Sequence, residues 1–154
     1  MNIVDLLTPR RVVCVGSADN KEHLLELLGS LLAIDQSALT AQEITASLSK
    51  RELLGSTGLE HGIALPHGRL DKGTQIIGAF IRLKHGVDFN ALDSQPVDLV
   101  FGLLVPEQFA NEYFVILAHL AEMFSDEAFC QRLRLADTDQ TLFERLIQWQ
   151  PAPT

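Results

Sequence analysis

Apolar positions set the first expectations along the chain. Arg11 to Val15 (RVVCV) is a short β-branched run, and the spacing predicts a strand there. Asp19, with Glu22 three residues later, has the form of a helix-capping box, and it precedes leucines at positions 24, 25, 27, 28, 31 and 32 that recur at helical spacing. A second box, Thr40 with Glu43, opens a helix carrying Ile44, Leu48 and Leu53, with Gly55 placed for a left-handed residue at its end. From Gly55 to Arg69 the pattern breaks into GSTGLEHGIALPHGR, which reads as a loop, a short strand Ile63 to Leu65 stopped by Pro66, and a loop again. Ile76 to Leu83 and Val97 to Val105 are β-branched strands, the second apolar on both parities and therefore covered on both faces. Three helices follow, Asn111 to Phe124, about Glu127 to Leu135 and Asp139 to Trp149.

Strands needing cover on both faces and helices placed before and after them predict a three-layer α/β domain: a mixed β-sheet flanked by helices on both faces. The short connection from 83 to 97 has no room for a crossover helix and predicts a hairpin or an irregular excursion. With 154 residues, one domain over 1–150 and a frayed tail at 151–154 are expected.

Composition narrows the function classes. Twelve Lys and Arg against twenty Asp and Glu leave a net charge of -8, which disfavours nucleic acid and anionic membranes as partners. No apolar run approaches the roughly 20 residues of a membrane span, and MNIVDLLTPRR lacks the layout of a signal peptide, so no membrane insertion and a cytoplasmic location are expected. Cys14 and Cys130 have no CxxC spacing and read as core thiols.

The densest polar cluster is Arg51, Glu52, Ser56, Thr57, His61, His67 and Arg69, set among glycines. Hydroxyls and backbone N–H groups near an arginine suit a phosphate or carboxylate oxygen, so the window predicts an anion site. Pro66 holds Leu65 extended, and His67 is expected just past a strand end with its imidazole displayed and not packed. A neutral imidazole is a competent nucleophile near neutral pH. A metal site is not expected: an extended 61–67 segment at about 3.3 Å per residue sets His61 and His67 roughly 20 Å apart. A hydrolase lacks its GxSxG, and a P-loop lacks its Gly-Lys-Ser/Thr ending.

Arg51-Glu52, GSTG at 55–58, GIALPHG at 62–68 and QPVDL at 95–99 occur in that order, and together they resemble the IIA components of the bacterial phosphoenolpyruvate phosphotransferase system, mannitol/fructose family, most closely its nitrogen-regulatory branch. The resemblance runs from about Leu6 to Leu146. It implies a phosphotransferase IIA-like fold and a cytosolic phosphocarrier that takes a phosphoryl group on His67 from an HPr-type carrier, with no cofactor and no metal, and then acts on regulatory protein targets. It also implies that Arg51 holds phosphoryl oxygens, and the hydroxyls of Ser56 and Thr57 in the anion window are expected to support it. The family's second histidine falls at Tyr113, whose phenol can donate a hydrogen bond but adds no positive charge. His119 does not replace it, since six helical residues turn about 240° and rise about 9 Å. It is expected to pair with Glu122 or to lie half-buried. Two further readings stand beside the first: a binding module with the same fold that has lost phosphotransfer, and a sugar-specific IIA subunit. Leu59 and Leu70 are the expected apolar edge of a partner face.

Charge is uneven along the chain. Lys50, Arg51, Arg69 and Lys72 outnumber Glu52, Glu60 and Asp71 in the 50–72 window, a local charge of +1, whereas residues 106–154 carry eight acids and three bases, or -5.

Overall fold

A computed structural model describes residues 2–151, so of the expected tail only Pro151 lies within the described residues. The strands are β1 (Val12–Val15), β2 (Ile63–Ala64), β3 (His67–Leu70), β4 (Ile77–Val87) and β5 (Val97–Pro106). The helices are α1 (Lys21–Leu32), α2 (Ala41–Glu52), α3 (Ala110–Phe124), α4 (Glu127–Arg134) and α5 (Asp139–Ile147). The strands form one mixed sheet. β1 runs parallel to β4, β4 antiparallel to β5, and β2 and β3 both run parallel to β5 along its outer edge. The 83–97 connection is a hairpin, with a register irregularity between Arg82 and Val87.

Alternation along β5 separates two apolar cores. Leu99, Phe101, Leu103 and Val105, with Phe80 of β4, face α3, α4 and α5, where Ile116, Leu120, Phe124 and Phe129 meet them. Val100 and Leu104 face α1 and α2, against Leu24, Leu28, Leu32, Ile44 and Leu48. Both faces of β5 are thus sealed, as its two-parity pattern requires. Gly102 lies against Leu28, and a Cβ there would collide with that side chain. A larger residue there would have to displace the Leu28 side chain.

The Thr40–Glu43 box forms in full at the start of α2. The first box does not form as expected: Asn20 caps α1 by accepting from the His23 N–H, and the Asp19 N–H is donated to Nδ1 of His23. Asn20 is an equally good cap one residue further on, and the imidazole fulfils the reciprocal role expected of Glu22. Gly55, two residues beyond the Leu53 cap of α2, has a φ of +152, which glycine adopts far more readily than other residues. Cys130 is buried against the core, its thiol pushed up to about 11 by burial, and Cys14 is only partly covered.

Candidate functional site

Strand β3 was expected to be a loop, and its formation moves His67. Its four residues pair with Leu103 to Pro106 of β5, so a segment with little local strand pattern is extended through long-range pairing. Helix α2 then closes over it. Ser47 Oγ donates to the Arg69 carbonyl at 2.8 Å, and Gly68 lies so near Ser47 and Leu48 that a Cβ would collide with both. His67 is therefore packed, with 6% of its surface exposed, and not displayed as expected.

The ring is oriented from both ends. Its Nδ1 lies 2.9 Å from the Leu65 carbonyl oxygen. A carbonyl can only accept, so the neutral ring carries its proton on Nδ1 and keeps the lone pair on Nε2. Burial lowers the His67 pKa below the ordinary imidazole value; the bond to Leu65 opposes the shift, Arg51 adds to it, Glu52 opposes it and Arg69 adds to it. The ring is thus held neutral at neutral pH with Nε2 as its basic atom. The Tyr113 hydroxyl donates to Nε2 at 2.5 Å, across rings whose centroids are 5.0 Å apart. A 3-10 turn at Glu107–Phe109 leads from β5 into α3 and sets Tyr113 in its first turn.

His67 and Tyr113 floor a cavity of about 390 Å³ lined also by Ser47, Lys50, Arg51, Leu54, Arg69 and Glu107. Arg51 is steadied by donating to the Gly55 carbonyl at 2.8 Å, and the Arg69 guanidinium lies over the Tyr113 ring at 5.2 Å. Neither arginine, nor Lys50, forms an ion pair with another described residue. Three cations without carboxylate partners around a neutral imidazole can take a dianion at the ring nitrogen.

Ser56 and Thr57, predicted to contact the anion, do not line this cavity. The Ser56 hydroxyl donates to the Phe89 carbonyl and accepts from the Gly58 N–H. Thr57 donates through both its N–H and its hydroxyl to Glu52, which Lys21 also holds at 2.7 Å. These residues tie the loop after α2 to α1 and to the sheet. The sequence counts Arg69 in the polar cluster and Lys50 in the positive 50–72 window without giving either a role at the histidine, and it does not point to Glu107. The i, i+2 spacing of His67 and Arg69 would have signalled the first once β3 was known to be a strand.

His61 lies exposed at the far end of the segment, its N–H donated to Asp93. Among the described residues no group of three or more His, Cys, Asp or Glu side chains is set to hold a metal ion, and no helix is long and apolar enough to cross a membrane. His119 is half-buried against Trp149, ring centroids 5.9 Å apart, the second of the two placements expected for it. Leu59 and Leu70 are also half-buried, each against one of the two cores. The exposed apolar side chains near the cavity are instead Leu53 and Leu54, at 88% and 84%, and Phe114 and Val115, at 66% and 70%.

Known proteins share this fold. The nitrogen regulatory protein of Pseudomonas aeruginosa is 38% identical over 150 residues, which is 97% of each chain. The nitrogen regulatory protein IIA-Ntr of Neisseria meningitidis superposes with a TM-score of 0.86 at 36% identity, covering 94% of this chain and 98% of that one. Mannitol IIA of Escherichia coli, in its complex with phosphorylated mannitol IIB, shares the fold at a TM-score of 0.74 and 22% identity, over 92% of this chain and 96% of the other. Residues 5–149 match the family described as phosphoenolpyruvate-dependent sugar phosphotransferase system, EIIA 2, and the chain belongs to that family.

Proposed function

We propose that this chain is a cytosolic regulatory phosphocarrier of the nitrogen class, which accepts a phosphoryl group on Nε2 of His67 from a histidine-phosphorylated carrier of the HPr type. The observation that carries the reading is the fixed tautomer: Nδ1–H is committed to the Leu65 carbonyl, and the nitrogen with the lone pair faces a cavity with three cations free of ion pairs. In the transfer, that lone pair forms the new N–P bond while the donor's P–N bond breaks and its electron pair returns to the donor ring. The phosphoryl group moves through a loose transition state with charge on its peripheral oxygens, so positioning and cations do most of the work. Arg51 and Arg69 stand where those oxygens arrive, and no cofactor or metal has a step to perform. The added charge of about -1.5 to -2 then alters how this face meets a regulatory target. Similarity over nearly the whole chain to nitrogen regulatory proteins supports that class over a sugar-specific subunit.

The test is phosphorylation with phosphoenolpyruvate, the system's first enzyme and its HPr-type carrier, followed by intact mass. An acid-labile gain of one phosphoryl group, absent in His67→Ala, is expected. No gain with either a sugar-class or a nitrogen-class carrier would overturn the proposal in favour of a binding module without phosphotransfer.

A further inference from the structure

One polar contact in the cavity obstructs the chemistry proposed for it. Tyr113, the single tyrosine of the chain, is 8% exposed, and its hydroxyl donates to the one His67 nitrogen that has a lone pair. A lone pair accepting a hydrogen bond points at that hydrogen, and attack on phosphorus needs the same lone pair in the same direction. The two cannot occur together. The phenol oxygen itself stands 2.5 Å from Nε2, too close for a phosphorus bonded there, so the Tyr113 side chain, packed by Arg69 over its face and by Phe114 edge-on at 5.0 Å, must swing aside as the phosphoryl group arrives. The cations already supply positive charge, so what Tyr113 contributes is a neutral donor placed on the reacting atom.

We infer that Tyr113 is a latch with two positions. Before transfer its O–H occupies Nε2 and slows attack; after transfer the displaced side chain donates the same O–H to a phosphoryl oxygen and lengthens the life of the phosphohistidine. The inference rests on His67 being the acceptor. Tyr113 keeps its proton throughout and is neither acid nor base in the step. The proton on Nδ1 also stays, its bond to the Leu65 carbonyl strengthened as the phosphorylated ring becomes cationic.

The experiment uses phosphoramidate as a small donor, so that no docking surface is involved. Its P–N bond breaks, ammonia leaves with the electron pair, and Nε2 takes the phosphoryl group. Three proteins are compared at about pH 7: wild type, Tyr113→Phe, and wild type grown on 3-fluorotyrosine, which labels Tyr113 alone and makes its O–H a stronger donor. Tyr113→Phe is expected to accept about three- to tenfold faster and to lose the phosphoryl group about three- to tenfold faster, the range of one hydrogen bond. The fluorinated protein is expected to move both rates the other way by about twofold, with its packing kept if the Phe variant is poorly folded. A purely structural role for Tyr113 would make the Phe variant accept more slowly. Equal rates in all three proteins, or slower acceptance in Tyr113→Phe, would overturn the latch while leaving His67 as acceptor. No phosphorylation of any of the three, by phosphoramidate or by either class of HPr-type carrier, would overturn the acceptor itself. An inert wild type beside a reactive Phe variant would support the latch in its strongest form.

Discussion

The two ends of the segment from His61 to His67 carry the same pair of residue types in opposite arrangements. At the first end His61 is exposed, and Arg134 is engaged by Asp98 through two bonds of 2.8 and 3.0 Å and by the His61 carbonyl at 2.7 Å. At the second end the histidine is buried, and Arg51 and Arg69 meet no carboxylate at ion-pair distance. An arginine whose donors are already satisfied by a carboxylate can hold a strand, a turn and a helix together. It has little left for a ligand. The second end lacks that neutralisation, and a neutral ring nitrogen stands beside it. What distinguishes a site from a brace is therefore which charges the fold leaves unpaired.

The difference can be broken from either end. Arg51→Ala is expected to reduce phosphoryl acceptance by about 10- to 100-fold, as for one charged donor to a transition-state oxygen, while thermal stability changes by less than about 0.5 kcal/mol. Stopped phosphorylation reactions and a melting curve on the same preparation check both halves. A loss of stability comparable with the loss of rate would mean that Arg51 is a brace too. Arg134→Ala should show the reverse. The Arg134 and Asp98 side chains are each 24% exposed, so loss of the pair and of the bond to His61 is expected to cost about 1–2 kcal/mol in urea unfolding, with acceptance by His67 unchanged.

Much of this contrast was legible in the residues, though unevenly. Helices with strong periodicity and caps were readable: the Thr40–Glu43 box forms as expected, and the run from Asn111 to Phe124 forms as α3. The first cap shifted by one residue because Asp19 and Asn20 are chemically equivalent caps, and only the backbone path selects between them. Strand β3 was illegible for a different reason. HGRL has no local alternation, and its extension depends on β5 more than thirty residues later. With β3 missed, His67 was expected in the open, and Ser56 and Thr57 were expected beside the anion, since nearness in sequence was the available guide. Glu52 and Phe89 draw those two hydroxyls away through contacts that no spacing rule anticipates. Tyr113 was expected at the site from its place in the family pattern, but its hydrogen bond to Nε2 depends on the tautomer, which the Leu65 carbonyl sets.

Burial of the histidine at the second end gives the smallest expected effect, and its sign follows from the direction of the shift. His67 is held below the ordinary imidazole value, chiefly by burial, so the unfolded chain takes up a proton at this position more readily than the folded one. The stability this group contributes is complete above the unfolded value of about 6.5 and is lost as pH falls from there through the lower folded value, with a slope no steeper than about 1.4 kcal/mol per pH unit. Acceptance, which needs the neutral ring, should stay level across neutral pH and decline only below the ordinary imidazole range. Other groups titrate in the same interval, so the useful quantity is the difference between wild type and His67→Gln, which removes this titration alone. Unfolding free energies of the two proteins should run parallel above about pH 7 and converge or cross below about pH 6 as wild type loses its contribution. A wild type that instead gains stability relative to His67→Gln on acidification would place the folded value above the unfolded one. That would require a carboxylate to govern the ring more strongly than its burial and its two arginines, and the second end would then resemble the first.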